Sequence, residues 1–150
     1  MIFYIDTNGN LYQGDLNGED REATIDEISL WMKNAKWSAI KAERDRRKVG
    51  GVKVKVGTTN KWFHSDDASR IQQMGLVMMG TNMPADLQWK TLDGSFVAMT
   101  PAIAGNVFAA AAASDQAIFA VAEGHKTAME ASADPSTYDF STGWPKIYGE

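Results

Sequence analysis

The chain has no cysteine among its 150 residues, and only two histidines and four prolines. The absence of cysteine excludes disulfide frameworks, cysteine-ligated zinc, iron–sulfur clusters and thiol catalysis. The two histidines, His64 and His125, lie 61 positions apart, which does not match the local spacing of a histidine metal motif. We therefore predict no metal site and no cofactor.

Long apolar segments are also missing. The longest apolar run covers the seven residues 107–113, whereas a membrane-spanning helix needs about 20. The segment after Met1 alternates like a strand, without the basic start and apolar middle of a secretion signal. We expect a protein that folds in a cytoplasm and does not contact a membrane.

The formal net charge of −4 is unevenly distributed along the chain. Residues 33–61 carry ten basic and two acidic side chains, whereas residues 1–32 and 62–150 each have a net charge of −6. This pattern favours charge pairing within the molecule, because an acidic protein repels phosphate backbones. The alternative, an anion or polymer on the basic segment, stays open, but we predict no nucleic-acid partner.

The first 23 residues are predicted to form a β-hairpin followed by a polar linker over 13–23. An Asn8-Gly9 turn separates two short apolar segments, which is a type I′ hairpin signal. Two strands alone are marginally stable in water, so the hairpin must pack on its own domain, a second copy or a partner. The candidate partner-binding residues here and in the following helix are Ile2, Phe3, Tyr4, Ile5, Trp31 and Trp37.

Residues 24–150 are predicted to form an α+β domain in which antiparallel hairpins alternate with helices, ending in a long Ala-rich helix. The capping box Thr24-Ile25-Asp26-Glu27 starts a helix that reaches Lys48. Hairpins are predicted over residues 52–64 and 87–99, because apolar alternation there is interrupted by turn residues.

Helical spacing indicates the apolar side of each helix. In the first helix the predicted buried positions are Ile25, Ile28, Met32, Ala35 and Ala39. Ser65 or Asp66 is predicted to cap a second helix. This helix bears Ile71, Met74, Gly75 and Met78. Thr100-Pro101 starts the last helix, which is expected to end near Ala131, and the aromatic tail 138–148 is expected to pack across the core.

One cluster, His64-Ser65-Asp66-Asp67, has catalytic residue types. A histidine beside two carboxylates can act as an acid–base group or hold a cation. The alternative is a strand end that runs into a helix N-cap, which we favour because no second ligand group has the required spacing. His125 lies on the apolar side of the last helix, which favours a core or interface histidine. We predict no catalytic residues and no enzymatic activity.

Four methionines, Met74, Met78, Met79 and Met83, fall within ten residues of the second helix and the segment after it. Methionine fills irregular gaps in a core, and it also lines adaptable binding surfaces. Core filling is the interpretation that we favour. Under the alternative, Met78 and Met79 are candidates for contact with a partner protein.

An ordered set of motifs resembles a known family. The motifs cover residues 40–47, 61–72, 89–97 and 138–145 and include the Ala-rich helix. In this order they are similar to a C-terminal domain of tailed-bacteriophage and prophage tail proteins. Its short members are often called tail fibre assembly proteins. The motif residues, for which we expect structural roles, are Trp62, Phe63, His64, Asp66, Arg70, Trp89, Asp93, Phe96 and Trp144.

The resemblance implies a phage tail role without chemistry and supplies no catalytic residues. We expect an assembly chaperone or adaptor that binds a tail fibre or other tail protein in the host cytoplasm, with a homo-oligomer as a further option. The N-terminal strand is expected to pair with an exposed sheet edge of the partner. Trp62, Phe63, Trp89 and Phe96 are expected on facing hairpins. Arg70 is expected to pair with Asp66 or Asp67.

Two other function classes stay open. The first is a permanent virion component at the fibre tip or base that takes part in host attachment. The second is an enzyme that degrades a surface glycan, which would be supported by turnover that is lost on altering His64 or Asp66.

Overall fold

The computed structural model describes residues 2–150, which contain three helices and seven short strands. The strands are β1 (Phe3–Ile5), β2 (Leu11–Gln13), β3 (Arg21–Glu22), β4 (Val52–Val56), β5 (Thr59–Phe63), β6 (Gln88–Lys90) and β7 (Phe96–Ala98). The helices are α1 (Ile25–Lys48), α2 (Asp67–Met79) and α3 (Pro101–Glu130), with 3-10 turns at Gly80–Asn82 and Pro135–Thr137. All strand pairs are antiparallel, and the predicted α+β fold with its long last helix is confirmed.

Within residues 2–150, none of the helices combines the length and the apolar character that crossing a membrane requires. The described chain divides into two compact units. The first unit consists of residues 2–41 and 124–140, and the second of residues 42–123 and 141–150. The predicted boundary after residue 23 lies within the first unit and stays a prediction.

The first unit contains a three-stranded sheet in the order β2-β1-β3. The predicted hairpin turn joins β1 to β2, but it is not of type I′, because Gly9 has a positive φ of 85° and Asn8 does not. The Asp6 carboxylate accepts hydrogen bonds from the backbone N–H groups of Asn8 and Asn10, each at 2.8 Å. Residues 13–23 were predicted as a linker, but Arg21 and Glu22 of this segment form β3. Both residues are exposed and polar and pair with β1 through their backbone, so the sequence shows no apolar strand pattern here.

The capping box at the start of α1 is confirmed. The Glu27 N–H donates to Thr24 Oγ1 at 3.2 Å, and the Thr24 N–H donates to Glu27 Oε2 at 2.9 Å. The predicted buried side of α1 is wrong at Ile25, Ala35 and Ala39, which are exposed. Ile25 occupies the first helical position, where few neighbours cover it, and the two alanines line an open groove.

The core of the second unit lies where the β4–β5 and β6–β7 hairpins meet α2 and α3. Val52 and Val54 point into it, whereas Lys53 and Lys55 point to solvent, as the alternating sequence predicts. Phe63 faces Val52 across the hairpin and is fully buried. The other core residues are Leu76, Val97, Met99, Ala104, Val107 and Ala111.

Helix α2 packs on a side that the apolar pattern does not indicate. Its buried residues are Gln73 and Leu76. The Gln73 amide donates to the backbone carbonyl of His64 at 2.7 Å, which satisfies this polar side chain within the fold. Core filling is therefore wrong for Met74, Met78 and Met79, which are exposed together with Ile71 and Gly75, whereas Met83 packs against the core.

Candidate functional site

Arg70 joins three segments of the second unit. Its guanidinium donates to the backbone carbonyls of Ser65 at 2.5 Å and Lys48 at 2.9 Å. The same group forms a bidentate pair with Asp115 of α3, at 2.6 Å and 2.9 Å. A planar guanidinium suits this arrangement because its donors form a fixed fork. Arg70 therefore holds the start of α2 against α3.

The prediction that Arg70 pairs with Asp66 or Asp67 is wrong. Asp66 is the N-cap of α2, and its carboxylate accepts from the Ser69 hydroxyl at 2.6 Å and the Ser69 N–H at 3.1 Å. The hydrogen bond from the Ser69 hydroxyl is the main reason that the pKa of Asp66 is lowered. Asp67 lies exposed in the first helical turn. The N-cap interpretation of this cluster is confirmed for Asp66.

His64 borders a shallow surface depression of about 340 Å³. Its other lining residues are Ser69, Gln72, Gln88, Trp89, Lys90 and Phe96. None of these lining residues is a carboxylate. Asp66 lies close enough to interact electrostatically with His64, but both of its carboxylate oxygens accept hydrogen bonds from Ser69. Ser65 is buried, and its hydroxyl donates to the Lys48 carbonyl at 2.9 Å. No group of three or more metal-ligating side chains occurs among residues 2–150.

Asp93 organises the turn between β6 and β7. Its carboxylate accepts from the Ser95 N–H at 2.8 Å and from the Ser95 hydroxyl at 2.5 Å. Lys61 of β5 donates to the same carboxylate at 3.1 Å. The Ser95 hydroxyl is the first of several donors that hold the pKa of Asp93 far below its usual range. The Leu92 N–H donates to the Trp62 carbonyl at 2.9 Å, so the turn also contacts the neighbouring hairpin.

The C-terminal tail is attached to α1 through Arg47. This buried guanidinium donates to Glu43 at 2.5 Å, to the Pro145 carbonyl at 2.9 Å and to Glu150 at 3.0 Å. It also lies 5.7 Å from the centroid of the Trp144 ring. These contacts explain the expected packing of the tail within the second unit.

The aromatic motif residues occupy the two hairpins, as predicted, but they are not equally buried. Phe63 lies in the core and Trp89 packs against it. The Trp62 ring lies 6.2 Å from the ring of Tyr148, in an edge arrangement. Phe96 is 61% exposed, so it is available to solvent. Most of the motif therefore stabilises the second unit.

Trp31 forms a ridge between two grooves in the first unit. Its side chain is 49% exposed, and its ring lies 6.1 Å from the Phe3 ring of β1. A groove of about 290 Å³ on one side includes Ile5, Leu11, Leu30 and Asn34. A groove of about 260 Å³ on the other side includes Met32, Ala35, Lys36, Ala39 and Ser136. The surface formed by Trp31 and these two grooves is called the Trp31 ridge below.

The other candidates at the N-terminal end differ in availability. Ile2 is exposed, whereas Tyr4 and Ile5 are half-buried, and the Tyr4 ring lies 5.7 Å from that of Tyr12. The Trp37 ring already lies near two ammonium groups, Lys41 at 5.7 Å and Lys126 at 5.0 Å from its centroid. Of the two candidate tryptophans, Trp31 is therefore the more accessible to a partner protein.

The sequence prediction missed several groove residues and one ion-pair partner. Leu30 is adjacent to Trp31 in the sequence and lies off the predicted apolar side of α1. Large apolar residues at such positions are the feature of the sequence that could have indicated an exposed apolar surface. No local pattern in the sequence identifies Asp115 as the ion-pair partner of Arg70, because the two residues lie 45 positions apart. His125 Nδ1 lies 2.8 Å from the Tyr138 hydroxyl, so this histidine has a partner within the first unit.

The chain belongs to the family described as "Domain of unknown function (DUF4376)", which matches residues 32–142. This match covers most of α1, the hairpins and helices of the second unit, and the start of the tail. The three strands of the first unit lie outside it. No curated protein and no solved structure matches the chain significantly.

Proposed function

We propose that this chain is a bacteriophage tail accessory protein that acts as an assembly chaperone or adaptor for a tail fibre protein. In this role it works in the host cytoplasm and covers an aggregation-prone segment of a fibre subunit until the fibre is complete. The motif resemblance to phage tail proteins suggests the setting. The surface chemistry of the first unit supports the mode of action.

The observation that carries the proposal is the Trp31 ridge. An exposed tryptophan between two apolar grooves is the arrangement expected of an interface hot spot, because truncation of such an anchor typically costs about 2–4 kcal/mol of binding energy. Lys36 borders one groove, and Arg21 and Glu27 border the other. The ridge therefore combines an apolar centre with a charged rim, as protein interfaces do.

Strand pairing by β1 is not available in this fold, because β1 lies between β2 and β3. The free edges of the sheet belong to β2 and β3, with three and two residues. Such short edges limit the main-chain contribution of β-augmentation. We therefore assign most of the capture to side chains at the Trp31 ridge.

The test is co-expression of the chain with a tail fibre protein from the same phage or prophage genome. Trp31→Ala is expected to weaken capture by at least about 30-fold, and Phe96→Ala is the matched control, since Phe96 is an exposed aromatic residue of the second unit. Point variants are preferable to deletion of residues 1–12, which would remove β1 and two of the three residues of β2. Equal capture by wild type and Trp31→Ala would refute the proposal.

Particle composition separates this role from that of a permanent virion component. A chaperone is expected to be absent from purified particles, whereas a structural subunit is present in a fixed copy number. Mass spectrometry of purified particles provides this measurement. A fixed stoichiometric amount in mature tails would replace the chaperone role with the structural one.

A further inference from the structure

Another depression of the second unit is bordered by two lysines that lie far apart in the sequence. It has a volume of about 340 Å³ and is formed by residues of β4, β5, α3 and the C-terminal tail. Lys53 of β4 and Lys146 of the tail line it together with Trp62 of β5. This surface is called the Lys53 depression below.

Small residues of α3 leave the space for the Lys53 depression. Ala110 and Ser114 lie four positions apart and therefore on the same side of the helix, and both line the depression. Val52 and Trp62 line it from the β4–β5 hairpin. Longer side chains on α3 would fill this volume, so the depression follows from the Ala-rich sequence of the helix. Its walls are mostly apolar, as in most small-molecule sites.

Both lysines are attached to backbone that the fold holds in place. Lys53 lies directly opposite Trp62 in the β4–β5 hairpin, so the two side chains project from the same face. The Pro145 carbonyl, which precedes Lys146, accepts a hydrogen bond from the buried Arg47 at 2.9 Å, and the residue after Lys146 is buried. The walls of the depression are therefore formed before a ligand binds, which lowers the cost of binding.

The two ammonium groups carry positive charge that no salt bridge neutralises. Within residues 2–150, neither Lys53 nor Lys146 forms a salt bridge, whereas Lys61 of the same hairpin pairs with Asp93 at 3.1 Å. None of the residues that line the depression is acidic. An anion between the two lysines would relieve the repulsion between them.

We propose that the Lys53 depression binds a phosphate monoester that carries a flat apolar ring. The phosphate group lies between the ammonium groups of Lys53 and Lys146, and the ring lies against Trp62 and the small residues of α3. Two cations match one phosphate group, which carries a charge of about −1.5 to −2 at neutral pH. Lysine is a common phosphate ligand, and the face of an indole ring offers a large apolar contact.

The size and position of the depression fit a small ligand. Its volume lies within the range of about 300–1,000 Å³ that is typical of small-molecule sites. Lys53 belongs to the basic segment 33–61, for which the charge pattern left an anion as an open alternative. Two cations suffice for one phosphate group, whereas a nucleic acid would need a longer row of cations. The inference is independent of fibre binding, because the Trp31 ridge lies in the other unit.

Phenyl phosphate is the probe that tests the proposal, because it joins a single phosphate group to a flat ring. When it is added to the isotopically labelled full chain, we expect saturable shifts of the amide NMR signals of Lys53 and Lys146 and of the Trp62 indole N–H. The expected dissociation constant is about 1 mM at low salt, as for a ligand of this size on an open surface. Raising the salt concentration from about 20 to about 200 mM should weaken binding, because ions screen exposed charges.

Two charge-removing variants and a matched control locate the site. Lys53→Gln and Lys146→Gln should each weaken binding of phenyl phosphate at least about 5-fold, because each removes one cation from the phosphate group. Lys55→Gln should bind like wild type, because Lys55 is exposed on the same face of β4 but does not line the depression. All three lysines are exposed, so these variants are expected to fold normally.

Three other ligands separate the contributions of the charge and the ring. Inorganic phosphate should bind at least about 3-fold more weakly than phenyl phosphate, because it lacks the apolar ring. Benzoate should also bind more weakly, since a carboxylate carries a single charge. Phenol should give no saturable shift up to about 10 mM, because it is uncharged at neutral pH.

Absence of saturable shifts at the residues that line the Lys53 depression would overturn the proposal. Equal affinity of wild type, Lys53→Gln and Lys146→Gln for phenyl phosphate would also overturn it, as would inorganic phosphate that binds as tightly as phenyl phosphate. Loss of fibre capture by Lys53→Gln, in a chain that does not respond to phenyl phosphate, would overturn it and assign the depression to contact with protein.

Discussion

Replacement of Arg70 by Met should destabilise the second unit strongly. The substitution removes two hydrogen bonds to Asp115 and leaves the carbonyl of Ser65 without this donor. The side chains of Arg70 and Asp115 are 20% and 27% exposed, so solvent screens the pair only in part. Breaking a buried pair costs about 3–5 kcal/mol, and with this partial exposure we expect a loss of about 2–4 kcal/mol.

A double-mutant cycle identifies the partner of Arg70. Urea unfolding followed by circular dichroism gives the free energy of unfolding for Arg70→Met, Asp115→Ala and the double variant. We expect a coupling energy of about 1–3 kcal/mol between these two residues. Asp67→Ala is the matched control, and its coupling to Arg70→Met should be near zero, because Asp67 is exposed and makes no ion pair with Arg70. Coupling to Asp67 instead of Asp115 would refute this arrangement.

Three further predictions concern other local interactions. The Arg21 guanidinium lowers the pKa of Glu27 to about 2 from its ordinary 4.5. The stabilisation that results is present above pH 4.5 and is lost as the pH falls toward 2. In an NMR titration of Arg21→Ala, the pKa of Glu27 should rise toward its ordinary value. Asp66→Ala removes the N-cap of α2 and should cost about 1 kcal/mol in urea unfolding, whereas no change would contradict the capping role. Gly51 has a φ of +99°, and a Cβ at this position would overlap the side chain of Leu92. Gly57 also has a positive φ, but no atom lies close to the position of its Cβ. Gly51→Ala should therefore lower the thermal midpoint of unfolding more than Gly57→Ala does.

Local signals in the sequence predict most of the secondary structure. The capping box at Thr24, the alternation of Val52 and Val54, and the Thr100-Pro101 start of α3 each depend on neighbouring residues. These features therefore appear in the fold as predicted. β3 was missed because its two exposed polar residues pair only through the backbone.

Side-chain placement is harder to predict, because it depends on residues far along the chain. The spacing of Ile71, Met74 and Met78 identifies one apolar side of α2, yet the helix buries Gln73 and Leu76 instead. No local pattern reveals that Gln73 has a carbonyl partner at His64. For the same reason, the sequence marks Trp31 as a contact candidate but cannot show the two grooves beside it.

Hydrogen–deuterium exchange of the complex with a tail fibre protein tests the proposed function most directly. The account predicts slower exchange in the backbone segments that surround the Trp31 ridge, at β1 and β2 and in the middle of α1, relative to the chain alone. The depression beside His64 is expected to exchange equally in both samples. Unchanged exchange around Trp31, or protection confined to the His64 depression, would contradict the proposed mode of partner capture.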